Sequence, residues 1–230
     1  MKIKFIAKIG FCLLLAFTTL KAQSASAPKL DFEAISYAIN DPQSPFYYPA
    51  LFVRYEQNDT QLTLEDYVAL YYGFAHQPNY HPLYYIDFTS IEAILYQQNR
   101  SKSDQRKLLK FALRNLKDFP FDLEMLWMAY RSYESLGKKK QGVAYYDKFK
   151  KIVATICLSG DGLTPETAYH VLFLQHEYML LDFLGFRFDG QQKAVGNNEF
   201  LRVSENTKGI EGLYFNVSSI QQALDPKFQE

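Results

Sequence analysis

LLKFALRNLKDFPFDLEMLWMAYRSYESLGKKKQGVAYYDKFKKIVA, residues 108–154, is the stretch that decides the fold. Leu108, Leu109, Ala112 and Leu116 recur at helical spacing, and the pattern extends back to about Ser103 and on to Lys117. Pro120 stops that helix, because proline offers no N–H and clashes with the preceding turn. Asp122 is placed to cap the next, whose apolar stripe is Met125, Leu126, Ala129, Tyr130 and Tyr133. Gly137 is its C-terminal cap. A further helix over 139–155 buries Val143, Tyr146, Phe149, Ile152 and Val153. Helices joined by links this short fold back as antiparallel hairpins.

Upstream, the same periodicity predicts more helices. Phe32, Ile35 and Ile39 form one stripe. Ser44-Pro45 reads as a cap with proline in the first turn of a second helix. Thr63-Leu64-Glu65-Asp66 opens a third in capping-box fashion, with Tyr67, Leu70, Tyr71 and Phe74 on one face. Residues 76–82 form a loop, and a helix is expected over 88–98. The segment from Leu108 to Ala154 resembles tetratricopeptide-like repeats, over about one and a half units. That resemblance implies a right-handed helical stack.

The texture changes at Ser159-Gly160-Asp161-Gly162. Residues 169–174, 177–184, 185–191, 200–203 and 212–217 read as short strands parted by Gly and Asn, with a closing helix over 218–224. The expected class is α+β: an N-terminal stack of helical hairpins over 23–156, then a small antiparallel sheet within 157–230, with one shared core left open.

The first residues bear on address. A basic start at Lys2 and Lys4, an apolar run from Ile9 to Leu20 and the exit Lys21-Ala22-Gln23 read as a signal peptide over 1–22. The apolar run is shorter than the roughly 20 residues a membrane span needs. The expectation is a periplasmic or extracellular protein with no transmembrane segment in the mature chain. Lysines and arginines total 25, as do aspartates and glutamates. Removing 1–22 takes four lysines and no acids, which leaves the remainder mildly acidic. That balance argues against a nucleic-acid surface. The basic run Lys138-Lys139-Lys140 reads as a solvated turn between helices. Cys157 is the one thiol outside 1–22, so no internal disulfide supports the mature fold.

Two sets of residues stand out as candidate sites. Tyr71, Tyr72, His76, Tyr80 and His81, with Tyr84 and Tyr85, would line a polar-aromatic groove if their rings face outward. Asp161, His170 and Glu177 lie where helices should meet sheet, with His170 and His176 sharing a strand face. Too few ligands accompany them for a metal centre, and no cofactor is implied. The chain carries no nucleophile elbow, no His-Glu-x-x-His, no phosphate loop and no dinucleotide fingerprint.

Residues 62–67, Tyr71-Tyr72-Gly73-Phe74, Ser159-Gly160-Asp161-Gly162, residues 167–171, Glu177-Tyr178 and residues 212–216 together resemble secreted Bacteroidota proteins catalogued as a domain of unknown function of the DUF4919 type. The resemblance implies a bacterial envelope address and a helix-then-sheet order, and no activity. The leading functional expectation is therefore a non-enzymatic module that binds an envelope protein or peptide through its helical layer. The alternatives are an envelope hydrolase acting on glycan or peptide, sited at Asp161, His170 and Glu177, or a glycan-binding protein.

Overall fold

The computed structural model describes residues 30–225, so the expected signal segment lies outside the described residues. Seven helices come first: α1 (Phe32–Asn40), α2 (Tyr48–Glu56), α3 (Leu64–Phe74), the short α4 (Glu92–Leu95), α5 (Lys102–Asp118), α6 (Leu123–Ser135) and α7 (Lys139–Cys157). Then follow β1 (Tyr169–His170), α8 (Leu174–Leu184), β2 (Phe188–Val195), β3 (Asn198–Val203), β4 (Gly212–Asn216) and α9 (Ser218–Leu224). The class is α+β. No described helix is long and apolar enough to cross a membrane.

The long helices start where side chains replace missing backbone partners. Thr63 Oγ1 accepts from the Asp66 N–H and Asp66 Oδ2 accepts from the Thr63 N–H, closing a capping box at α3. Ser101 and Asp104 do the same at α5. Asp122 Oδ1 accepts from the Met125 N–H at 2.7 Å to start α6. Each such cap is worth about 1 kcal/mol. α5 packs on α6 and α6 on α7, in the order the quoted stretch predicts.

The core is aromatic and centres on α3. The Phe121 ring, wholly buried, touches the rings of Phe52, Tyr55, Tyr71 and Phe74. Helices and sheet share this core. Tyr72 Oη donates to the His170 carbonyl and Tyr80 Oη to the Leu172 carbonyl, so α3 and the following loop are stitched to the segment around β1.

Four elements differ from the expectation. Residues 177–184 are the body of helix α8, not a strand: His176, Glu177, Leu180 and Leu181 are buried together, a helical stripe whose two polar members hid the period. His170 and His176 therefore do not share a strand face. Ser44-Pro45 sits in a turn, with the Ser44 N–H donating to the Asp41 carbonyl; α2 starts at Tyr48 with Pro49 in its first turn. The helix expected over 88–98 is one turn, and the Arg100 guanidinium takes the open carbonyls of Ile94 and Leu95 at its end. The sheet, ordered β1-β4-β3-β2, is mixed: β2, β3 and β4 are antiparallel neighbours, while the two-residue β1 runs parallel to β4 at the edge. A long connection through α8 and the β2–β3 hairpin permits that parallel pairing.

Candidate binding groove

The solvent face of α5 carries Lys102, Arg106, Lys110 and Arg114, each one helical turn beyond the last, followed by Lys117. The opposite face buries Leu108, Phe111 and Ala112 against the rest of the fold. That amphipathic split fixes which way the cations point. The sixth cation arrives from the α6–α7 turn. Gly137 takes a left-handed conformation, φ 74°, and the Lys138 N–H donates to the Tyr133 carbonyl at 2.9 Å. The turn swings Leu136 and Lys138 over the α5 face.

The result is a concavity of about 510 Å³ with Leu109, Leu113 and Leu136 as its apolar floor and six cations around it. No acid lines it. Among the described residues none of the six is in an ion pair, although Arg114 lies over the Phe111 ring and within electrostatic reach of Asp87. Like charges gathered in a concave, low-dielectric wall reinforce one another's field instead of cancelling.

The residues singled out from sequence sit elsewhere. Tyr71, Tyr72 and Tyr80 are buried with their hydroxyls turned inward, so they form core and not a groove. His76 and His81 are both exposed, and partial desolvation of the His76 ring holds its pKa below the ordinary value. Asp161 builds a turn. Its carboxylate accepts from the Thr167 hydroxyl and the Leu163 N–H, and both bonds hold its pKa down. A β-carbon on Gly160 would sit 2.1 Å from the Thr167 carbonyl oxygen, so only glycine closes this loop.

His170 contacts Phe32 and Tyr72, and its Nε2 pairs with the Ser219 hydroxyl at 2.9 Å; burial pushes its pKa down to about 4. Glu177 is fully buried and neither carboxyl oxygen has a partner. Burial first, and Glu199 second, push its pKa up to about 9. Asp161, His170 and Glu177 are thus held by three separate sets of neighbours.

What the structure does bring together is Tyr71 with His176, which sequence reading passed over as a site. The Leu172 N–H donates to Tyr71 Oη at 3.1 Å, and that hydroxyl meets His176 Nδ1 at 2.8 Å. Burial drives the His176 pKa down to about 3, so the ring is neutral, and the tautomer with its proton on Nε2 lets Nδ1 accept from the phenol. Among the described residues no three His, Cys, Asp or Glu side chains are placed to hold a metal. The groove residues were also missed. Their signal was in the sequence, as the four-residue spacing of Lys102, Arg106, Lys110 and Arg114.

The family described as Domain of unknown function (DUF4919) matches residues 33–225, and the chain belongs to it. That span runs from α1 to the residue after α9 and includes the whole groove. No curated protein and no solved structure matches the chain.

Proposed function

We propose that this member of the DUF4919 family is a non-enzymatic module of the bacterial envelope that binds an acidic protein segment in the basic groove beside α5. The observation that carries the reading is six exposed cations, none ion-paired among the described residues, set around a floor of three leucines. A chain segment with carboxylates on one side and apolar side chains on the other satisfies both parts at once. The concave shape favours a chain over a bilayer, which meets a protein on a projecting surface. The leucine floor favours a peptide over a glycan. The leader-like start of the chain supports an address outside the cytoplasm.

The test is a fluorescence-anisotropy titration with a labelled peptide of alternating Glu and Leu. Wild type binds, and binding weakens as salt shortens the roughly 8 Å screening length of physiological solution. Arg106→Glu with Lys110→Glu weakens binding by about tenfold or more, which is about 1.4 kcal/mol. Both positions are exposed, so the reversal leaves the fold intact. Equal binding by the reversed variant overturns the proposal. So does a wild-type chain that ignores the peptide and sediments with vesicles containing phosphatidylglycerol.

A further inference from the structure

Next to the groove, and sharing Leu113 and Lys117 with it, lies a second cavity of about 300 Å³ whose wall includes Tyr55, Glu56, Tyr145 and Lys148. Lys148 is an unusual lysine. Its residue is only 7% exposed, in the middle of α7. Its amine stands 4.0 Å from the centre of the Tyr55 ring and 5.6 Å from that of Tyr145. Among the described residues it has no hydrogen bond and no ion pair. Nor is it sealed, in contrast to the Glu177 oxygens, which are closed off without partners.

The ring faces and the nearby Glu56 favour the ammonium form; desolvation opposes them and wins, holding the pKa down at about 8. Near pH 7.4 roughly a fifth of such amines are free base, against roughly a thousandth of ordinary lysines. The groups facing the amine come from every wall: Tyr55 and Glu56 on α2, Lys117 on α5, and Tyr145 on α7 itself, while α6 contributes only Leu126. A partner-free amine in a cavity with an acid alongside is what imine chemistry requires.

We propose that Lys148 is a covalent capture site for small carbonyl compounds, which enter this cavity and form an imine with its amine. The nitrogen lone pair attacks the carbonyl carbon and the C=O electrons move to oxygen, giving a carbinolamine. A nitrogen proton passes to that oxygen, with Glu56 placed to take and return it. Glu56 then carries the nitrogen's remaining proton to the hydroxyl, and water leaves as the nitrogen lone pair forms the C=N bond. No oxidant or reductant is consumed, and the step reverses by hydrolysis. The inference is independent of the acidic-segment reading, since it needs neither the six groove cations nor a protein partner.

The experiment uses the purified chain with glyoxylate as the probe and cyanoborohydride to trap the imine, followed by peptide mass spectrometry. The internal reference is Lys107, an exposed lysine outside both cavities. Lys148 gains the carboxymethyl label at least about tenfold faster than Lys107 at pH 7.4, as its larger free-base fraction requires. That preference shrinks as pH rises well above 8, where ordinary lysines also deprotonate. Glu56→Gln keeps the lysine and slows its labelling at pH 9, where the amine is mostly free base in both chains and only the proton shuttle differs. Lys148→Arg removes the fast label and leaves that of Lys107 unchanged. Labelling of Lys148 no faster than Lys107 in the wild-type chain overturns the proposal, whatever the folding of either variant.

Discussion

Replacing Glu177 by glutamine removes a titrating group from the interior at nearly constant shape, and it should stabilise the protein. In the folded chain this carboxyl is wholly buried, has no partner and keeps its proton up to about pH 9; unfolded, it ionises near its ordinary value of 4.5. Between those two values the folded state holds a proton that the unfolded state releases, so stability falls as pH rises from 4.5 and stops falling near 9. Each unit costs about 1.4 kcal/mol. At pH 7 the wild type therefore forgoes about 3 kcal/mol that the glutamine variant keeps. Urea unfolding at pH 5, 6, 7 and 8 reads the effect, because all other titrations are common to both chains and cancel in the difference. The two chains should be nearly equally stable at pH 5, with the variant's advantage growing by about 1.4 kcal/mol per unit thereafter. A difference that does not change with pH, or a variant less stable than wild type at pH 8, refutes the reasoning and means the carboxylate finds compensation in the fold.

Phe121→Ala removes the ring on which Phe52, Tyr55, Tyr71 and Phe74 converge and should cost about 3–5 kcal/mol; a loss under about 1 kcal/mol in urea would mean the core collapses into the hole. Tyr71→Phe leaves His176 Nδ1 and the Leu172 N–H without their shared hydroxyl and should cost about 1–3 kcal/mol. An unchanged urea midpoint for that variant would show that water takes the hydroxyl's place.

Legibility varied with how local each cause was. The capping box of Thr63 and Asp66, the stop at Pro120, the Asp122 cap and the Gly137 turn each involve neighbours within a few residues, so α3, α5, α6 and α7 were readable. Helix α8 was not, because its buried stripe contains His176 and Glu177, and polar residues at core positions break the pattern on which periodicity depends. The fate of the tyrosines was also out of reach. A phenol serves equally well at a wet surface or in a core that supplies an acceptor, and the acceptors for Tyr72 and Tyr80 lie about a hundred residues away in sequence, on His170 and Leu172.

The same division holds for the sites. Sequence alone determined the α+β class, the order of helices before sheet and the kinship with DUF4919, because these rest on local spacing and on motifs that survive as strings. It also contained the four-residue repeat of cations along α5. Only the tertiary structure decided that this stripe stays free of acids, that the α6–α7 turn adds Lys138 to it, and that Lys148 stands over Tyr55 in the adjoining cavity. Charge, burial and reactivity are set by what surrounds a side chain in space, and those surroundings are assembled from segments that the linear order keeps apart.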